Sequence, residues 1–133
     1  MVKQRRIASG EICLEFPAGM LDTNIDNPIN VAMTELFEET GILLPENELF
    51  PLSDSLLYSS PGASDEGIYY FGCRIVLSNA DFQSLEGQIH GSLSENEKII
   101  LTLKTREQAE AQLTSLQARL GFYLFEEYIL NRN

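Results

Sequence analysis

Positive charge is what this sequence has least of. Nine Lys and Arg stand against twenty Asp and Glu in 133 residues, a formal net charge of −11. From Ile7 to Cys73 there is no Lys or Arg at all, while that stretch carries twelve Asp and Glu. This balance disfavours nucleic acid and anionic membrane as partners, since both would be repelled. Cysteine is equally scarce. Cys13 and Cys73 sit singly in apolar, strand-like runs without CxxC spacing, and read as reduced core thiols. No apolar run reaches the roughly 18 residues of a membrane span, and no secretory leader pattern is present, so the cytoplasm is the expected compartment. The single histidine, His90, falls in a loop and is given no catalytic part. Repeats, low-complexity tracts and interdomain linkers are missing too, so residues 1–133 are expected to form one domain around a modest core.

What is present has an α/β order. Ile12, Leu14 and Phe16 alternate with Cys13 and Glu15, a strand that ends at Pro17-Ala18-Gly19. After a polar loop from Met20 to Asn27, Pro28 suits a first helical turn capped by Asp26 or Asn27. Ile29, Ala32, Met33 and Leu36 recur at helical spacing, and Gly41 is placed to end that helix. Leu56 to Tyr58 reads as a short strand before the turn Ser60-Pro61-Gly62. Ile68 to Leu77 and Lys98 to Lys104 read as longer strands, with a polar loop from Ser78 to Glu97 between them. Thr105 and Gln108 form a capping box for a helix that Gly121 is expected to interrupt, leaving Phe122 to Leu130 as a terminal apolar helix. Its aromatics, Phe122, Tyr123, Phe125 and Tyr128, read as core or interface.

The helix before Gly41 is the chemically unusual element. Glu35, Glu38 and Glu39 stand at i, i+3 and i+4 on one face, away from the apolar stripe. Stacked carboxylates repel, and no Lys or Arg on this helix relieves them. Most such faces are solvated surface. Hard oxygen ligands in this pattern also suit Mg²⁺ or Mn²⁺, which bind through one or two carboxylates plus substrate phosphates.

Gly19 followed by Glu35-Leu36-Phe37-Glu38-Glu39-Thr40-Gly41-Ile42 resembles the Nudix box, G-x5-E-x7-R-E-U-x-E-E-x-G-U with U aliphatic. Thr34 replaces the box arginine, and one extra loop residue puts Asp26 where the box has its first glutamate. Leu14 to Gly19 resembles the lead-in strand of the ADP-ribose and ADP-sugar branch. Ser60-Pro61-Gly62 with Asp65-Glu66 is similar to its substrate loop, and Gly91 with Glu95-Asn96-Glu97 to its catalytic loop. The resemblance implies a Nudix α/β/α sandwich with a mixed sheet. It also implies metal-dependent hydrolysis of a nucleoside diphosphate linked to another moiety, of ADP-ribose or ADP-sugar type, to a nucleoside monophosphate and a sugar phosphate. Metal contacts fall to the Ala18 carbonyl, Glu35 and Glu39, with Glu38 in support. Glu95 becomes the general base, with Glu97 beside it. Arg6, Pro61, Gly62 and Glu66 become substrate contacts.

Without the resemblance, Glu95 and Glu97 are loop surface charges, and Arg6 covers an apolar edge with its stem. In the family, strands and an N-terminal region precede the box, and here they are expected to be absent. One strand fits within Met1 to Glu11, and a homodimer is the expected cover for the remaining edge. The alternative function is a Nudix-fold binding or assembly module with weak or no catalysis.

Overall fold

The computed structural model describes residues 1–21, 27–91 and 98–132. β1 (Val2–Arg5) and β2 (Ile12–Glu15) form an antiparallel hairpin whose turn uses Gly10 at a positive φ of 74°. β8 (Ile99–Leu101) pairs with the other side of β1, and β7 (Ile89–His90) with the far side of β8. The order is therefore β2-β1-β8-β7.

Register assigns the faces, because residues directly opposite one another point to the same side of a sheet. Val2 pairs with Glu15 and Leu101, and Gln4 with Cys13 and Ile99, so these six share one face. Lys3 and Leu14 share the other. On the first face Val2, Ile99 and Leu101 form a buried cluster, against which Leu85 packs. On the second, Leu14 is buried with Ala109, Leu113, Ala118 and Phe122. Those last four belong to α3 (Arg106–Gln112), the turn after it, and α4 (Leu116–Leu130). Leu85 ends α2 (Asn79–Leu85). α1 (Pro28–Thr40) lies on the Val2 face too, since its cap Gly41 abuts His90, which pairs with Ile99. Helices thus cover both faces of a central sheet, an α+β sandwich of three layers.

Two smaller hairpins complete the described chain. β3 (Leu49–Pro51), preceded by a 3₁₀ turn at Glu46–Glu48, pairs with β6 (Phe71–Cys73). β4 (Leu57–Tyr58) pairs with β5 (Gly67–Ile68). Phe50 of β3 stacks on Tyr128 of α4 at 4.2 Å between ring centres.

Four expectations need correction. Every strand pairing among the described residues is antiparallel rather than mixed. The strand expected over Ile68 to Leu77 is split, because β5 and β6 serve different partners and the chain leaves the sheet after Cys73. Ile75 and Val76 are exposed there, in an open groove shared with Ile42 to Pro45. The polar stretch from Ser78 holds α2 and β7. Ser78 caps α2 by accepting a hydrogen bond from the Asp81 amide at 3.1 Å, and register against β8 organises β7. Finally, Gly121 does not interrupt its helix. The break falls at Leu113–Ser115, where Ser115 caps α4, and Gly121 lies buried inside α4. A Cβ there would sit 3.2 Å from the Tyr70 ring, so this glycine serves close packing.

Candidate functional site

α1 forms for reasons legible in its ends. The Asn27 side chain accepts from the Asn30 amide, Pro28 occupies the first turn, and Gly41 closes the helix at φ 69° with its amide donating to the Phe37 carbonyl. The helix carries no basic residue in its last turn, where the negative end of the helix dipole already disfavours carboxylates. Glu39 nevertheless lies there with only 6% of its surface exposed. Burying a carboxylate costs several kcal/mol unless donors or cations compensate it, by the order of magnitude usual for buried ions.

One compensating donor comes from the loop after β2. The Ala18 amide donates to Glu39 Oε2 at 3.3 Å. The next residue, Gly19, lies under Glu35, where a Cβ would fall 1.8 Å from Oε1 and 2.5 Å from Cγ. Two carboxylates one turn apart on α1 are therefore seated on consecutive residues of one loop. Glu38 is exposed on the same helix. Thr34 is exposed as well, and its hydroxyl donates to the Asn30 carbonyl at 3.0 Å, so it turns back on its own helix.

Arg6 reaches along the β1–β2 hairpin to Glu15. Its Nη2 lies 2.6 Å and its Nε 3.0 Å from Glu15 Oε2. The hydrogen bond to Glu15 raises the guanidinium above its ordinary pKa, opposed by burial and assisted by the charges of Glu15 and Glu39. Sequence reasoning did not single out Glu15. Strand alternation was the signal that could have found it, since Glu15 shares a face with Cys13 and Val2.

Pro61 and Gly62 are exposed at the tip of the β4–β5 hairpin, where Ser60 accepts from the Ala63 and Ser64 amides. Tyr58, Pro61, Ser64 and Asp65 line an open depression there. Glu66 accepts a short hydrogen bond from the Ser59 hydroxyl. It also faces Tyr70, whose phenol pKa is raised first by burial and then by Glu66. The Tyr70 ring packs at Gly121, with Phe16 nearby. Tyr70 thus ties the hairpin to the end of β2, a short step from Ala18. Glu95, Glu97 and Asp26 lie outside the described residues. Among the described residues no group of three or more His, Cys, Asp or Glu gathers closely enough to hold a metal ion. What the described residues offer instead is a pair of carboxylates, a donor set that suits a hard cation sharing its shell with phosphate oxygens.

A three-layer sandwich with an acidic helix seated on a glycine loop is consistent with a Nudix fold. The chain is similar to Nudix hydrolase 14, chloroplastic, of Arabidopsis thaliana, with 31% identity over 133 positions, 95% of this chain and 43% of that protein. It is 28% identical over 122 positions to the putative nudix hydrolase 2 of Caenorhabditis elegans, covering 92% of this chain and 47% of that one. An uncharacterized Nudix hydrolase of Schizosaccharomyces pombe is 30% identical over 86 positions, 65% of this chain and 37% of its own length. No family model matches the chain. These similarities support the Nudix superfamily. The chain spans less than half the length of each of these relatives. No helix among the described residues is long and apolar enough to cross a membrane.

Proposed function

We propose that this chain is a Nudix-type hydrolase domain that cleaves a nucleoside diphosphate linked to a sugar or similar group, of ADP-ribose or ADP-sugar type. One observation carries the reading: Glu35 and Glu39 are both seated on the Ala18–Gly19 loop, giving two fixed carboxylates on one helix face. Glu35, Glu39 and the Ala18 carbonyl would hold Mg²⁺ or Mn²⁺, with Glu38 in support. The bound ion supplies neutralisation of the diphosphate charge and a more acidic water. Glu95 would serve as the general base for the attacking water, with Glu97 beside it. Arg6 would meet the diphosphate, while Pro61, Gly62 and Glu66 would contact the sugar. The products would be a nucleoside monophosphate and a sugar phosphate.

The same reading includes a cytoplasmic protein acting as a single domain, and a homodimer joined at the edge strand β2, where Ile12 is exposed. Sedimentation at micromolar concentration tests the dimer, and a monomer removes it. A second reading, a binding or assembly module with weak or no catalysis, is favoured by Thr34. Its side chain turns to Asn30 and brings no cation to the acidic helix. The deciding experiment incubates purified protein and Mg²⁺ with ADP-ribose, ADP-glucose and dinucleoside polyphosphates, and identifies products by chromatography. Hydrolysis that needs metal and is lost in Glu39→Gln supports the hydrolase. Binding without turnover across the panel supports the module.

A further inference from the structure

We propose that His90 is a positioning residue for the hydrolysis put forward above, holding the last turn of α1 through a hydrogen-bonded relay with Gln88 and Ser84. The inference rests on that hydrolase reading and adds to it a side chain that touches neither metal nor substrate. Along β7 and the residue before it, exposure alternates. Ile89 is 63% exposed, while Gln88 and His90 turn inward and are half-buried. The inward pair meets the residue that closes α1. A Cβ at Gly41 would stand 3.1 Å from His90 Cε1 and 3.9 Å from its Nε2, so the ring approaches the helix end as closely as a glycine allows.

The relay fixes the ring. His90 Nε2 lies 3.1 Å from Gln88 Oε1, and Gln88 Nε2 donates to the Ser84 carbonyl at 2.7 Å. A carbonyl accepts and cannot donate, so the Gln88 amide nitrogen faces Ser84 and its oxygen faces the imidazole. His90 therefore carries a proton on Nε2 and donates it. Three elements are tied in this way, α2 at Ser84, β7 at His90 and α1 at Gly41. The same turn of α1 is held from its other side, where Glu39 accepts from the Ala18 amide at 3.3 Å. Residues two apart on a helix point to nearly opposite sides. Ala18 follows β2 and His90 lies on β7, the two outer strands of the sheet. The last turn of α1 is thus gripped from both edges of the sheet, and the His90 ring keeps it from rolling away from the Ala18–Gly19 loop.

Tautomer and turnover test the relay together. Long-range proton–nitrogen correlation spectra of the single histidine, at mildly alkaline pH and without metal or substrate, should show the Nε2–H form in wild type. Gln88→Leu should show a mixture of the two tautomers. With Mg²⁺ and the substrate panel above, kcat in His90→Ala and in Gln88→Leu should fall roughly 10- to 100-fold with KM within about twofold, the size of a misplacement remote from the chemistry. The double variant should fall no further than either single one, because the two residues act as a unit. His90→Gln, whose amide nitrogen reaches the place of Nε2, should recover most of the rate, and His90→Asn, whose nitrogen falls at the place of Nδ1, should not. A merely structural histidine would alter the melting temperature without this split between Gln and Asn. An Nδ1–H histidine in wild type, additive losses, or wild-type kcat in the variants overturns the proposal, and Gln88→Leu decides if His90→Ala fails to fold. Wild-type protein that turns over none of the panel sinks the hydrolase reading itself, and this inference with it.

Discussion

Glu35 lies so close over Gly19 that a Cβ at residue 19 would stand 1.8 Å from its Oε1 and 2.0 Å from its Cδ. Only a residue without a side chain lets this carboxylate lie where it does. The contact links a helix to a loop more than a dozen residues away, so the glycine belongs to the site rather than to a turn.

Gly19→Ala tests that contact. The displaced group is the end of a side chain, so the fold can absorb the change by swinging Glu35 away, and the melting temperature should move by only a few degrees, within about 1 kcal/mol. Metal affinity should fall by roughly 10- to 100-fold, the range for disturbed support of a ligand. Titration calorimetry with Mn²⁺ measures it, and an unchanged affinity would remove Glu35 from the proposed ligand set.

Ligand and base should separate by mutation. Glu39→Gln should abolish both the stabilisation conferred by Mg²⁺ and the activity, because it removes a buried ligand. Glu95→Gln should keep metal binding yet lower turnover by roughly 10²- to 10⁴-fold, as loss of a general base does. Equal turnover in Glu95→Gln and wild type would move the base to Glu97.

Gly121→Leu should destabilise the protein by about 1–3 kcal/mol, the usual cost of forcing a large side chain into a filled space. The space is already taken by Tyr70, 3.2 Å from the position of a Cβ, and by Phe16 at 3.8 Å. Urea denaturation gives the value. A variant as stable as wild type would show that Tyr70 can move aside freely.

Acid sensitivity should trace in part to Glu86. Its carboxyl lies below its ordinary value of 4.5, chiefly because the Leu103 amide donates to it, with the Thr102 hydroxyl, Lys104 and Lys3 helping against burial. A lowered folded-state value means stabilisation that is fully present above the ordinary value and disappears as pH falls from there through the folded-state value. The group is exposed, so its share is under about 1 kcal/mol. Glu86→Gln should therefore lose stability at neutral pH and show a shallower fall between about pH 5 and 3 than wild type. Parallel acid-unfolding curves in the two proteins would remove Glu86 as a source.

Local signals were written in the chain. The ends of α1 follow from Asn27, Pro28 and Gly41, and the capping box of α3 from Thr105 and Gln108. The stacking of Glu35 and Glu39 follows from a helical period of 3.6 residues. Each of these depends on neighbours within a few residues, so spacing is enough to read them. The elements that were missed or misjudged depend on remote partners. β5 and β6 look like one strand until their different partners divide them. Gly121 looks like a helix breaker until the Tyr70 ring is found against it. The candidate site divides in the same way. Sequence determined which carboxylates share a face of α1, while tertiary structure decided that Ala18 and Gly19 seat them and that Arg6 pairs with Glu15. Spacing along a chain fixes direction within one element. Compensation of a buried charge is settled only where separate elements meet, because the donors and cations that offset it come from other parts of the fold.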